Sequence, residues 1–401
     1  VAANDTRRPV AVVAGGGLNG LGVVRALARG KVPTILVTDE PHDPVNTTRF
    51  ATVRTVRVLA GRSFVDDMIR LGDELGHRFV LFLTQDKTVE TADEFRDALL
   101  PHVLLSLPSR DCVETLMNKQ VFQGFAERSG LPVPKTRLLS AGASEADCAG
   151  LTFPCILKPA MKNAAYFAQF KKAYVVQNPA ETLEIFGKMH EIGLDAVLQE
   201  WIVGDEDSIH FYLGYFGADS EPVAGFSGRK ILSWPPKYGG TACCIPAPEA
   251  EADIAPIARR VFKATGYRGM GSVEFKKDQR SGQFFIVEPT IGRTNFQSEL
   301  ATLNGVNLPL TQYCVEAGLA LPPTVTPAAP LGWYDPGTIA NLKARGFDTS
   351  PMTTYRLKKL SGYFRWNDPM PGVANAFEGP RERLAAISRR LSRLAGSTPQ
   401  S

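Results

Sequence analysis

The sequence predicts an α/β layer of parallel strands followed by an α+β region built on a largely antiparallel sheet. Three observations predict it. The first 110 residues alternate apolar strand-like runs with helical ones, a stretch rich in Leu, Met and Phe then stops at Gly130 ahead of two prolines, and beyond it short β-patterned segments dominate. At 401 residues the chain exceeds what one hydrophobic core usually serves. We therefore divide it into lobes at residues 1–110, 111–205 and 206–330, with an extension at 331–401.

From Pro9, PVAVVAGGGLNGLGVVRALARG reads as a buried strand, a glycine turn and an amphipathic helix, and TILVTDE as a second strand ending at Asp39. A third strand at residues 55–58, a helix over 63–75 and the run FVLFLT continue the alternation. One helix then covers VETLMNKQVFQGFAERSG, because the prolines of LPVP cannot extend it. Strands follow in FPCILKP, KAYVV, AVLQEWI, SIHFYLGYF, PVAGFSGRK, GSVEFKK and QFFIVEP, with helices over 180–192 and 251–265. The tail carries the aromatic stretch GYFRWNDPMPG and then PRERLAAISRRLSRLAG, whose Leu and Ile residues share one helical face with Arg around the rest. A cap over the third lobe is a commoner role for such a segment than contact with an anionic membrane.

Composition narrows the function classes. With 44% apolar and 21% charged residues the chain is an ordinary globular one. A net charge of +4, with Lys and Arg scattered, argues against a nucleic-acid partner. The six cysteines show no Cys-x-x-Cys spacing, no apolar run reaches the ~20 residues of a bilayer span, and no signal-peptide pattern opens the sequence. A cytoplasmic protein acting on small molecules is the expectation, with a homodimer left open.

Two nucleotide signals compete. Gly15, Gly17 and Gly20 satisfy G-x-G-x-x-G between a strand and a helix, with Asp39 at the end of the next strand; taken alone this reads as an NAD site, but such a turn is more often a structural one or a pocket for part of another substrate. The second signal centres on Glu274 and Glu288. If the turn between their strands lies near Ser281, the two acids face each other while Val273, Phe275, Phe285 and Val287 share the buried face. Facing carboxylates repel unless a cation lies between them, and oxygen ligands of this kind select Mg²⁺ or Mn²⁺. Neutralisation by Lys276 and Lys277 on a solvated hairpin is the plainer alternative. Lys119 and Lys158 can each set an ammonium on a phosphate, although a single lysine is usually a surface residue. In VLQEWIVGDEDS a strand edge can meet a purine while Glu206 or Asp207 accepts ribose hydroxyls; an acidic turn is the alternative.

Taken in order, MNK…GLPVPKT, FPCILKP, QEWIVGDE, GSVEF and FFIVEPTIGRTNF resemble the ATP-grasp superfamily, in particular its carboxylate-amine ligase branch with D-aspartate ligase-like enzymes, over roughly residues 10–320. The resemblance implies an ATP-grasp fold: a Rossmann-like N-terminal lobe, a small middle lobe and an antiparallel-sheet C-terminal lobe that binds ATP. It implies that Lys119 and Lys158 contact ATP phosphates, that Gln199, Trp201 and Ile202 form the adenine hinge with Glu200 among the cofactor-binding residues, and that Glu206 holds the ribose. It also implies that Glu274 and Glu288 bind Mg²⁺, with Asn295 and Thr290 both candidates for a third ligand, because the run after Glu288 departs from the family pattern. Arg293 is the natural fork for an acyl phosphate or substrate carboxylate, or else pairs with a structural acid. The loop after Lys158 replaces the glycines of many family lids with Tyr166 and Phe167, and sets Lys171 or Lys172 over the phosphates. Arg229 and Lys230 follow Gly228 in GRKILSWPPKYGGT, which resembles a basic, glycine-ended loop of the same branch, on the substrate side of the phosphates.

The implied activity joins a small-molecule carboxylate to an amine through an acyl phosphate, releasing ADP and phosphate. An NAD-dependent oxidoreductase and a non-catalytic ATP-binding protein of the same fold are the alternatives, the latter suggested by the altered Glu-Pro-Thr run.

Overall fold

A computed structural model describes residues 8–160, 173–236 and 239–377. Tyr166, Phe167, Lys171 and Lys172 of the expected lid, and the basic C-terminal helix, lie outside the described residues.

The N-terminal lobe runs β1 (Ala11–Ala14), α1 (Gly17–Arg29), β2 (Thr34–Thr38), β3 (Thr52–Thr55), α2 (Gly61–Leu75), β4 (Phe79–Leu83), α3 (Asp86–Glu94), α4 (Arg96–Leu99) and β5 (Val103–Leu104). Its parallel sheet has the order β3-β2-β1-β4-β5. The inner strands β1 and β4 are wholly buried, which is why they read as unbroken apolar runs with no alternation. The third strand lies at Thr52–Thr55 and not at 55–58, because it pairs with Ile35–Thr38 and β2 offers no partner beyond Thr38.

Where one connector helix was expected there are two, α5 (Arg110–Met117) and α6 (Lys119–Arg128). Asn118 parts them: its backbone is extended and its side chain accepts from the amides of Gln120 and Val121 at 3.0 and 3.3 Å, so it caps the second helix while ending the first. The small sheet follows, from β6 (Thr136–Leu139), β7 (Cys155–Pro159), β8 (Tyr174–Val176), α7 (Pro179–His190) and β9 (Ala196–Glu200), in the order β6-β9-β7-β8. Its core is Leu139, Leu157, Val176, Phe186 and Leu198.

The large lobe contains β10 (Ile209–Phe216), β11 (Pro222–Trp234), β12 (Gly240–Pro246), α8 (Glu251–Ala264), β13 (Gly269–Lys277), β14 (Phe284–Ile291), α9 (Gln297–Leu303) and α10 (Leu308–Glu316). The chain after residue 330 adds β15 (Leu331–Tyr334), α11 (Pro336–Ala344), α12 (Pro351–Thr354) and β16 (Lys358–Ser361), and its two strands complete a seven-stranded sheet, β14-β13-β10-β11-β12-β15-β16. The stretch expected as a basic loop is instead largely strand: Arg229 to Trp234 belong to β11 and pair with β12, with Ile231, Leu232 and Ser233 all buried. One face of this sheet packs on α8 and the connector helices around Phe262, Tyr267 and Phe275. The other packs around Phe211, Leu300 and Trp333, where α9 also meets α1. No helix among the described residues is long and apolar enough to cross a membrane.

Candidate active site

Glu274 on β13 lies directly opposite Glu288 on β14. The register then slips, so that Phe275 pairs with Ile286 and Val287 is an extra residue in the ladder. This bulge corrects the expected burial: Phe284 and Ile286, not Phe285 and Val287, join Val273 and Phe275 in the core, and Val287 is exposed. Without the extra residue, regular alternation from the paired acids would have turned Val287 and Phe285 inward.

Each acid has a lysine. Lys230, buried on β11, reaches Glu274 at 2.5 Å, and Lys119, the first residue of α6, reaches Glu288 at 3.0 Å. The two pairs are unequal. Burial raises the Glu274 carboxyl above its ordinary value while the Lys230 ammonium pulls it back; the lysine is buried and the acid opens onto the cleft. Lys119 is largely exposed and its pair contributes at most ~1 kcal/mol, which leaves Glu288 readily available to a cation.

Both acids line a cleft of about 370 Å³ together with Lys230, Thr290, Arg293 and Asn295. Asn295 donates its Nδ2 to Ser272 Oγ at 3.2 Å, while its Oδ1 is buried and, among the described residues, has no hydrogen-bond partner. An orphaned carboxamide oxygen beside two carboxylates is a donor set suited to a hard divalent cation. Thr290 is held in the ladder opposite Ser272. Arg293 is anchored by Asp86 at 2.5 Å, an acid from the N-terminal lobe, and by the Thr294 carbonyl.

Strand alternation corrects one expectation. Lys230 faces the cleft, so Arg229, its neighbour in an extended strand, points through the opposite face of the sheet, where its guanidinium lies over the Tyr355 ring.

The small lobe supplies the rest. Lys158 at the end of β7 donates to Gln199 Oε1 at 3.4 Å, and Gln199 donates to Thr136 Oγ1 at 3.0 Å. The Glu200 carboxylate accepts from the amides of Thr152 and Lys135, so the side chain holds two loops together. The Trp201 amide donates to the Pro154 carbonyl, and the Lys276 ammonium lies 4.5 Å from the Trp201 ring centroid, linking that residue to β13. Among the described residues the Ile202 amide has no hydrogen-bond partner. Glu206 accepts from the Ser233 amide at 2.9 Å.

The resemblance implied that the turn from Gly15 to Gly22 helps bind substrate, and Asn19 within it does line the cleft, but sequence reasoning missed Thr84, Gln85 and Asp86, which line it too. The position of Thr84, Gln85 and Asp86 just beyond the C-terminal end of β4 was the available signal, since parallel sheets place ligands there. Asn19 donates to the carbonyls of Thr84 and Thr294 at 2.8 and 2.7 Å and accepts from Thr294 Oγ1 at 2.9 Å, fastening the glycine turn to the loop that carries Arg293 and Asn295. The turn itself is filled from within. The Gly17 amide at the start of α1 donates to Asp43 Oδ2 at 2.8 Å, and Asp39 accepts from Lys87 and from the Leu59 amide. A carboxylate already seated at the helix N-terminus repels a dinucleotide's pyrophosphate from that seat.

The fold is the ATP-grasp fold. Over 78% of this chain it superposes on phosphoribosylglycinamide synthetase from Anaerococcus prevotii with a TM-score of 0.59, 13% identity and 75% of that chain covered. Over 78% it also superposes on the biotin carboxylase domain of a Hydrogenobacter thermophilus 2-oxoglutarate carboxylase, solved with MgADP, with a TM-score of 0.57, 16% identity and 70% of that chain covered. In sequence, 195 residues are 27% identical to a D-alanine–D-alanine ligase from Xylella fastidiosa, covering 46% of this chain and 59% of that ligase. The chain thus spans less than two thirds of that relative's length. No family model matches the chain.

Proposed function

We propose that the protein is an ATP- and Mg²⁺-dependent ligase that activates a small-molecule carboxylate as an acyl phosphate and couples it to an amine. The observation that carries this reading is the facing pair Glu274 and Glu288 with the unpartnered Asn295 oxygen in one cleft. The resemblance in sequence to a D-alanine–D-alanine ligase supports an amino acid as one of the substrates, in keeping with the D-aspartate ligase-like branch.

Glu274, Glu288 and Asn295 would hold Mg²⁺, or Mn²⁺, which supplies charge neutralisation for the triphosphate. Lys119 and Lys230 add positive charge beside those acids, and Lys158 brings an ammonium from the small lobe. Gln199, the Ile202 amide and Trp201 present a hinge for adenine, Glu206 takes the ribose, and Lys172 is a further phosphate contact outside the described residues. Arg293, steadied by Asp86, offers its fork to the substrate carboxylate. A carboxylate is a poor electrophile, so transfer of the γ-phosphoryl group to its oxygen creates the leaving group that the amine then displaces as phosphate. Such catalysis rests on positioning and charge, and needs no serine or cysteine nucleophile.

ADP release across a panel of carboxylates and amines tests the proposal. We expect at least one pair to drive turnover and Glu288→Gln to reduce it by roughly 10²-fold or more, the scale on which a lost electrostatic contact to a transition state is felt. Full activity in Glu288→Gln would remove the metal site from the mechanism, and no ADP from any pair would favour a non-catalytic nucleotide-binding protein.

A further inference from the structure

Three neighbouring strands deliver successive residues to opposite faces of the large sheet. From β10, β11 and β13, Phe211, Lys230 and Glu274 line the front cleft, whereas His210, Arg229 and Lys277 line a second pocket of about 210 Å³ behind it. Asp207, Glu249 and Asp253 complete the charged wall of that pocket.

The back pocket holds both signs of charge without pairing them. Among the described residues no salt bridge joins Arg229 or Lys277 to any of the three carboxylates, so the opposite charges are separated by more than direct contact. The Arg229 guanidinium lies 4.6 Å from the centroid of the Tyr355 ring, and its Nε is buried with no hydrogen-bond partner. Tyr355 donates to Asp207 at 2.8 Å, which fixes the ring beneath the guanidinium. His210 is buried, with Nδ1 3.0 Å from the Ser208 carbonyl. That contact places the ring proton on Nδ1 and leaves the Nε2 lone pair as an acceptor.

Arg229 and Lys277 bring positive charge to this wall with no ion-pair partner among the described residues, and a ligand carboxylate would supply one. A simple anion would also meet three carboxylates, and a simple cation would meet Arg229 and Lys277. A ligand bearing both charges avoids either conflict. At ~30 Å³ per water-sized unit the pocket has room for roughly seven such units, the size of a small amino acid.

We propose that this pocket is a second binding site, distinct from the front cleft, for a small zwitterion such as an α-amino acid. Its carboxylate lies toward Arg229 and Lys277, and its ammonium toward Glu249 and Asp253.

Isothermal titration calorimetry of the full chain against glycine and the D- and L-forms of alanine, serine and aspartate tests this, with acetate and methylamine as single-charge probes. At least one zwitterion should bind saturably, and both single-charge probes at least roughly tenfold more weakly, a loss of ~1.4 kcal/mol. Arg229→Met and Glu249→Gln should each weaken zwitterion binding at this site tenfold or more, while Arg293→Met removes only a separate front-cleft component of the isotherm and leaves the back-pocket one in place. Glu249 is exposed on a turn, so its variant reports on the site even if Arg229→Met disturbs folding. Three results would overturn the assignment: no saturable zwitterion, acetate binding as tightly as the zwitterion, or binding abolished by Arg293→Met and untouched by the two back-face changes. The last would place the ligand in the front cleft and leave the proposed ligase reading intact.

Discussion

Asn295 and Asn19 show how much single carboxamides decide here. One leaves an oxygen unpartnered beside two acids, and the other uses its side chain to bind two lobes together. His210 shows a different kind of control. Burial holds its imidazole below the ordinary value, with the Ser208 carbonyl acting the other way and Arg229 reinforcing the shift. The unfolded chain protonates this ring near about pH 6.5, while the folded protein keeps it neutral to lower pH. Above that value both states hold the same number of protons; below it the unfolded state gains one that the folded state refuses, so stability falls as pH drops toward the folded value. Urea melts between pH 7 and 5 should therefore show a steeper loss in the wild type than in His210→Phe. Equal slopes would mean that the ring is not held neutral by burial. The acids Glu274 and Glu288 were legible from residue type and the intervening turn. Arg229 was not, because a basic dipeptide says nothing about which of its members faces a site until the strand containing it is placed.

At the scale of elements the β14 bulge reconciles two demands, acids facing each other on one side and apolar residues inward on the other. FFIVE contains four apolar residues in a row, so alternation cannot tell which pair faces the core. Burial does tell: Ile286 is 1% exposed and Val287 48%. Ile286→Ala should cost ~2–5 kcal/mol, as deletion of a packed side chain does, and Val287→Ala within ~0.5 kcal/mol. Chemical denaturation of the two variants checks this, and comparable losses would show that the extra residue lies elsewhere in the ladder. The break at Asn118 is a similar case. A single helix through that residue would have satisfied the apolar pattern, but the cap places Lys119 at the start of α6, from which it reaches Glu288. Asn is a familiar N-cap, yet nothing local announces that a helix must end immediately before it.

Across the whole molecule, a buried ionic group ties the first helix to the segment around Asp368. Arg25 on α1 contacts Asp368 at 2.9 Å and the Gly362 carbonyl, Thr48 donates to the same carboxylate, and Glu299 receives Arg365 at 2.8 Å and the Trp333 indole N–H at 2.8 Å. Removing one member leaves the other charged and buried, which costs more than an absent pair would. Asp368→Ala should lower stability by ~3–5 kcal/mol and speed amide exchange in α1. An exchange pattern like that of the wild type would show that the tie is not holding the N-terminal lobe.

The sequence by itself determined the class of architecture, the two acids and Lys158 at the end of its strand, because periodicity, turn chemistry and charge repulsion act within windows of a few residues. The tertiary structure alone decided which face each side chain takes and which distant groups meet. Lys119 lies 169 residues from Glu288, and Arg25 lies 343 from Asp368. Contacts of that span arise from how whole elements stack to bury apolar surface, a balance summed over many side chains that no local pattern records.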